Sequence, residues 1–124
     1  MGRTNDVRRY LDRMSAENGV KLHYNTAPDT AALPCLVYTL REVGFDGAVS
    51  QNWLEVNGFI AGEDDAALDE LLDRLEGIFD RLLYVDNQMR ISVYRQGTRQ
   101  DVPEPEKHIK HKRILFELRF TGGI

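Results

Sequence analysis

Residues 34–60, PCLVYTLREVGFDGAVSQNWLEVNGFI, decide the fold. Both halves of this stretch are rich in β-branched and aromatic residues, and the Asp46-Gly47 pair between them is a strong short-range turn signal. The stretch therefore predicts a hairpin of two long strands, the second running from about Val49 to Ile60. Alternation along that strand puts Trp53, Glu55, Asn57 and Phe59 on one face and Asn52, Leu54, Val56 and Ile60 on the other. Only one of these faces has the apolar composition of a core.

Helical periodicity flanks the hairpin on both sides. Before it, the pattern predicts a short amphipathic helix followed by a brief edge strand over Val20–Tyr24. After it, the acids of Glu63–Asp65 suit a helix N-terminus, where backbone N–H groups lack partners, and we expect a long helix over Asp64–Leu83. The apolar residues at helical spacing are Val7, Tyr10, Leu11 and Met14 in the first helix, and Leu68, Leu71, Leu72, Leu75, Ile78, Phe79 and Leu82 in the second.

Two further strands are predicted in the last third of the chain. One begins at Met89 and the other at about Lys112, and polar residues with two prolines separate them. A structureless stretch of this length is usually functional or mobile, so we expect a long mobile loop at about 96–111. The resulting fold class is α+β, with a mainly antiparallel sheet of about four strands and helices packed on one face, in a single domain of residues 1–124.

Composition narrows the possible classes of protein. The chain has 124 residues, of which 42% are apolar, so one ordinary hydrophobic core is possible. No run reaches the ~20 apolar residues of a membrane span, and the N-terminal segment lacks an apolar signal stretch. We therefore expect neither a membrane protein nor a Sec-exported one. The single Cys35 excludes an internal disulfide framework.

The net charge of −4 hides a separation of charge along the chain. Between Glu63 and Asp80 there are eight acidic residues and one basic residue, whereas Arg95 to Arg113 contains six basic and three acidic residues. An acidic average argues against a general nucleic-acid coat protein. The basic segment, with Tyr94 as a stacking residue, still leaves open a nucleic-acid-binding accessory factor, although a contact with an acidic protein surface fits its charge balance better.

Residues capable of catalysis or metal binding are few. Cys35 and His23 would form a nucleophile and base if the fold joined them, but a cysteine in an alternating apolar run is usually a buried strand residue. His108 and His111 could supply two metal ligands, with no third ligand indicated nearby. The carboxylates opposite the leucine face are typical of a solvated helix surface. We therefore expect no enzyme, no metal and no cofactor.

The order of elements resembles the tail terminator (tail-completion) proteins of long-tailed bacteriophages. The similarity rests on the N-terminal helix, the start of the hairpin at Pro34–Tyr38, the strand Trp53–Ile60 leading into the helix Asp64–Leu83, and the late strand Ile114–Phe120. It covers nearly the whole chain and uses no diagnostic motif. Neighbouring head-to-tail neck or connector proteins share this layout and remain an alternative.

The resemblance implies a structural role in the virion, at the head-proximal end of the tail, after assembly in the host cytoplasm. Such proteins form a ring, expected here to be a hexamer, that caps the tail tube, stops its polymerisation and offers a surface to the head. The implied partners are further copies of the chain, the tail tube protein and a connector or neck protein. DNA can pass through such a ring without specific binding.

A ring of identical subunits needs two different patches on each subunit that meet around a closed rotation. We expect the acidic helix face of one subunit to lie near the basic segment of another ring component, where complementary charge would fix register. The candidate ring or tube interface residues are Asp69, Asp73, Glu76, Asp80, Arg95, Arg99, Lys107, Lys110, Lys112 and Arg113.

Overall fold

The computed structural model of the protein describes residues 3–27, 32–62 and 64–122. Strands occupy 53% of the structure and helices 24%, so a sheet dominates the fold. Glu63, which the sequence assigns to the acidic helix start, lies outside the described residues. The elements in chain order are α1 (Arg3–Glu17), β1 (Leu22–Tyr24), β2 (Cys35–Asp46), β3 (Val49–Ala61), α2 (Ala66–Phe79), β4 (Leu82–Val85), β5 (Met89–Val102) and β6 (Ile109–Gly122).

The six strands form one sheet in the order β1-β2-β3-β6-β5-β4. β1 runs parallel to β2, and every other neighbouring pair is antiparallel. The sheet curves into a half-barrel. β1 and β4 are its edge strands, and neither has a second strand neighbour in the part of the chain that the structure describes.

The predicted hairpin of β2 and β3 is confirmed. Its register runs from Cys35 opposite Phe59 to Asp46 opposite Val49, and Gly47 at the turn has φ +60°, a conformation that glycine adopts without steric cost. A bulge between Glu42 and Gly44 shifts the register near the turn. As the alternation predicted, one face of β3 is buried, through Leu54, Val56 and Ile60.

The core lies between the sheet and the leucine face of α2. Leu68, Leu72, Leu75 and Phe79 are fully buried there, together with apolar residues of β2, β3, β5 and β6. Gly58 on β3 allows a close approach, because a Cβ at that position would lie 2.7 Å from Leu68 Cδ1 and 2.9 Å from Leu36 Cδ2. Phe79 meets Phe116 edge to face with ring centroids 5.9 Å apart. This packing fixes α2 over the middle of the sheet.

Helix α1 contacts both edge strands of the curved sheet. The Arg8 guanidinium lies 3.7 Å from the ring centroid of Tyr24 on β1, and the Tyr10 ring lies 4.3 Å from that of Tyr84 on β4. The Tyr38 hydroxyl on β2 donates a hydrogen bond of 2.9 Å to Asp12 Oδ1. α1 therefore spans the opening of the half-barrel and links its two edges.

The predicted fold class was wrong. The sheet has six strands and is mixed, instead of about four mainly antiparallel strands with helices packed on one face. One reason is that α2 ends at Phe79, so Leu82 and Leu83, which the helical periodicity had included in the helix, begin the separate strand β4. The other is that β1 pairs parallel to β2 and extends the sheet. The spacing of apolar residues does not reveal that β4 pairs with β5 or that β1 pairs with β2.

The predicted loop at 96–111 is mostly strand. β5 continues to Val102 and β6 begins at Ile109, so the connection is only residues 103–108. The ladder is interrupted between Gln96 and Gln100, where Gly97 has φ +72°, and it resumes beyond this irregularity. The polar composition misled the prediction, because backbone hydrogen bonds to a neighbouring strand do not require apolar side chains.

Candidate functional site

The acidic face of α2 pairs with basic residues of the same chain. Arg95 and Arg99 on β5 and Lys112 on β6 lie opposite this face and form ion pairs with it. We call this group the charge cluster, and its members are Asp65, Asp69, Asp73, Glu76, Arg95, Arg99 and Lys112. All of these residues except Asp65 were predicted to lie at a ring or tube interface, and the structure shows ion pairs between them within one chain.

Arg99 is the centre of the charge cluster. Its guanidinium donates to Asp69 Oδ1 at 3.1 Å and to Asp73 Oδ1 at 2.7 Å, and it also binds Glu76, which binds Arg95 as well. The Arg99 side chain is only 20% exposed, so water screens these contacts less than at an open surface. Replacement of Arg99 by a neutral residue would leave three carboxylates close together without their shared cation. Arg99 is therefore a structural tie between α2 and β5.

Lys112 joins the same helix to β6. Its Nζ lies 2.8 Å from Asp69 Oδ1 and 2.9 Å from Asp65 Oδ2. The hydrogen bond from Lys112 lowers the pKa of Asp69 below its usual value, with burial opposing the change and Arg99 adding to it. The same bond raises the pKa of Lys112. Both groups therefore keep their charges over a wide range of pH.

The remaining predicted interface residues do not join this pairing in the same way. Asp80 accepts a hydrogen bond of 3.0 Å from the backbone N–H of Arg95, and Arg113 donates one of 2.8 Å to Gln100 Oε1. Lys107 lies in the exposed connection 103–108, and Lys110 stands opposite Ile60 in the β3–β6 ladder. The ten predicted residues therefore divide into a group that ties α2 to the sheet and a group outside it.

Cys35 and His23 do not have the properties of a nucleophile and its base. Burial raises the pKa of the Cys35 thiol, which disfavours the reactive thiolate. β1 places His23 opposite Val37 in the parallel ladder, two residues beyond Cys35. This environment fits the interpretation of Cys35 as a small buried strand residue.

His111 is held by neighbours that give it a structural role. Its Nδ1 lies 3.0 Å from Glu104 Oε2, its Nε2 lies 2.6 Å from Asn57 Oδ1, and its ring stacks on Phe59 at 4.3 Å. His108 instead lies 3.4 Å from Glu106 at the surface. Across residues 3–27, 32–62 and 64–122, no group of three or more His, Cys, Asp or Glu side chains is arranged to hold a metal ion.

Exposed apolar side chains mark the β4 edge of the sheet, which the sequence analysis missed. Leu83 and Val85 on β4 are 57% and 60% exposed, and Tyr94 on β5 is 50% exposed. The ladder puts Leu83 opposite Ser92 and Val85 opposite Arg90, so these side chains share the face opposite to buried Val93. We call Leu83, Val85 and Tyr94 the edge patch. The available signal was the continuous apolar run Leu82–Val85, which is typical of a short strand, but its first residue also continued the helical spacing of α2.

A second apolar surface lies where the β2–β3 hairpin approaches α1 and β6. It is a groove of about 340 Å³, which we call the tip groove. One wall is polar, since the Ser50 hydroxyl donates to Glu42 Oε2 at 2.5 Å and Asn52 donates to Ser50 at 3.0 Å. Its apolar lining consists of Val7, Leu40, Phe45, Leu118 and Phe120.

Comparison with known proteins gives no indication of function, so the structure is the guide to it. Neither protein-family models nor curated proteins give a match to this chain. Within the described part of the chain, no helix is long and apolar enough to cross a lipid bilayer. The candidates for a functional surface are therefore the parts of the molecule outside the core and the charge cluster.

Proposed function

We propose that the protein is a structural component of the head-to-tail joining machinery of a long-tailed bacteriophage. In this proposal, copies of the chain form a ring, hexameric as in the tail terminator proteins that its element order resembles. The ring sits on the end of the tail tube, stops further polymerisation and presents a surface to a connector or neck protein of the head. Its location is the head-proximal end of the tail in the virion, and the host cytoplasm during assembly.

The observation that carries the proposal is the presence of two unlike association surfaces on one chain. The edge patch is an exposed apolar surface on β4 and the neighbouring β5, whereas the tip groove is a concavity of about 340 Å³ with a polar wall. A heterologous interface requires two different surfaces of this kind, and exposed apolar clusters commonly mark interaction sites. A ring-forming structural protein uses both surfaces in every subunit.

The charge cluster supports assembly through apolar surfaces over binding of nucleic acid. Arg95, Arg99 and Lys112 are already neutralised by carboxylates of α2. Phosphate binding would have to displace these carboxylates, and affinity for nucleic acid depends on the number of free basic groups that reach phosphates. The buried, poorly ionised Cys35 supports a role without covalent chemistry.

Polymerisation of tail tube protein tests the proposal. Purified chain, added in increasing amounts to polymerising tube protein, is expected to shorten the tubes and to appear at one end in electron micrographs. Equal amounts of the Arg99→Met variant, unfolded by heat before the addition, control for non-specific effects of added protein. Tubes of unchanged length with no chain bound at their ends would refute the terminator role, and binding only to purified connector would favour the neck alternative.

A further inference from the structure

We infer that the ring interface is formed by the edge patch of one copy seated in the tip groove of the next copy. This inference rests on the proposed ring and names the surfaces that close it. The occupant of the groove is thus a second copy of this chain, contributing Leu83 and Val85. The two surfaces are complementary in apolar character and in charge.

The edge patch and the lining of the tip groove match in apolar character. Leu83 and Val85 project from a four-residue edge strand, and they are more than half exposed. The tip groove of about 340 Å³ is large enough for side chains of this size, and its floor of Leu118 and Phe120 is apolar. Seating the edge patch there removes apolar surface from water on both copies, from Leu83 and Val85 on one and from Phe45, which is 56% exposed, on the other. Burial of apolar surface is the main favourable term in association.

The charged residues around the edge patch and around the tip groove have opposite signs. Arg90 is exposed directly opposite Val85 in the β4–β5 ladder, and Arg81 is exposed just before β4. Asp86 is exposed there too, but hydrogen bonds within its own turn occupy its carboxylate. The tip groove has the opposite sign, because Glu42 forms part of its wall and Asp46 is exposed at the adjoining turn. Opposite charges around an apolar contact fix its register and favour it over a contact between two edge patches, which carry the same arginines.

The edge patch and the tip groove lie at the same end of the sheet. Val49 pairs with Thr121, Met89 pairs with Gly122 and Val85 pairs with Arg90, so the hairpin turn and the end of β4 lie at the same end of the sheet. The two surfaces lie on opposite faces of the sheet, because Leu118 in the groove stands opposite Val93 and shares its buried face, whereas the edge patch lies on the other face. A contact between unlike surfaces on opposite faces is heterologous, and copies joined by such a contact form a ring when the rotation closes.

Disulfide trapping between copies tests the contact. In a Cys35→Ala background, Val85→Cys and Asn52→Cys place one thiol on the edge patch and one in the tip groove. Oxidation is expected to give a ladder of covalent oligomers ending at the closed ring. Each single substitution is the matched control and is expected to give none. Dimers from Val85→Cys alone would show edge-to-edge pairing and overturn the inference, as would a particle of ring mass in which the double variant gives no cross-link.

A charge introduced on the edge patch provides the second test. Val85→Glu should weaken association of the copies by about tenfold or more, because it removes an apolar contact and sets a carboxylate against Glu42. The control Leu33→Glu introduces the same charge at another exposed apolar residue and should leave association unchanged. Leu33 is 44% exposed and lies two residues before β2, away from both β4 and the lining of the tip groove. Wild-type rings that tolerate Val85→Glu would overturn this interface and leave the proposed function standing. Wild-type chain that stays monomeric with tube protein present would overturn the proposed function itself.

Discussion

Lys112 Nζ on β6 lies 2.8 Å from Asp69 Oδ1 on α2, and this contact ties the helix to the sheet from its acidic side. Arg99 reaches the same Asp69 oxygen from β5. The leucine face of α2 holds the opposite side of the helix in the core. Charges that are separated along the sequence therefore converge because β5 and β6 run beneath α2, and they stabilise the subunit itself.

Loss of Arg99 should destabilise the subunit. Arg99→Met leaves Asp69, Asp73 and Glu76 facing each other without their shared cation, and the expected loss in the free energy of unfolding is about 2 kcal/mol. The control Arg9→Met breaks an open ion pair of 3.6 Å between largely exposed side chains and should cost less than about 0.5 kcal/mol. Urea unfolding followed by circular dichroism measures both. Equal stability of the two variants would contradict the role given to the charge cluster.

The pH dependence of stability should report Asp69. Its pKa in the folded chain is lowered from the ordinary value of 3.8, so its contribution is present above that pH and is lost as the pH falls through the lower folded value. Asp69→Asn should therefore be less stable than the wild type by about 1 kcal/mol at pH 7, with the difference shrinking below about pH 4. Glu70→Gln, on the exposed side of the same helix, is the control. A difference that stays constant down to pH 2 would contradict this assignment.

The contact of α2 with β3 should depend on Gly58. Gly58→Ala puts a Cβ into the space of Leu68 and Leu36, and we expect a loss of about 1–3 kcal/mol in the free energy of unfolding. Gly77→Ala is the matched control in α2, where an added Cβ meets nothing within 4 Å. Since alanine is the better helix former, this variant should be neutral or up to about 1 kcal/mol more stable. A tolerated Gly58→Ala would show that the helix does not pack as closely as described.

Thiol labelling should distinguish a buried Cys35 from a reactive one. Burial and the raised pKa of its thiol should make the folded chain react with a disulfide reagent on the order of a hundredfold more slowly than the chain in denaturant. The denatured chain provides the reference rate, and Cys35→Ala the blank. Equally fast labelling of folded and unfolded chain would reopen a nucleophilic role for this cysteine.

The elements with strong local signals were predictable from the sequence. The Asp46-Gly47 turn fixed the hairpin, and the apolar face of α2 was visible in the spacing of Leu68, Leu72 and Leu75. Each signal depends on residues close together in the chain, and local conformation follows directly from such spacing. The buried face of β3 was predictable for the same reason.

The features that depend on distant partners were not predictable in this way. β4 is only four residues long and continues an apolar spacing that also suits a helix, so its beginning depends on pairing with β5. The continuation of β5 through Gln100 depends on the ladder with β6. The ion pairs of Arg99 required knowledge of which strands lie beneath α2. The edge patch and the tip groove follow from these pairings. Six of the ten predicted interface residues are instead joined by ion pairs within the chain, and these are Asp69, Asp73, Glu76, Arg95, Arg99 and Lys112.

The native mass of the purified chain, with and without tail tube protein, tests the central claim most directly. The claim is that identical copies assemble into a closed ring that ends the tube. Native mass spectrometry should then find one discrete multiple of 14.2 kDa, six copies for the expected hexamer, either alone or on the tube. A chain that remains a monomer of 14.2 kDa both with and without tube protein would contradict the account.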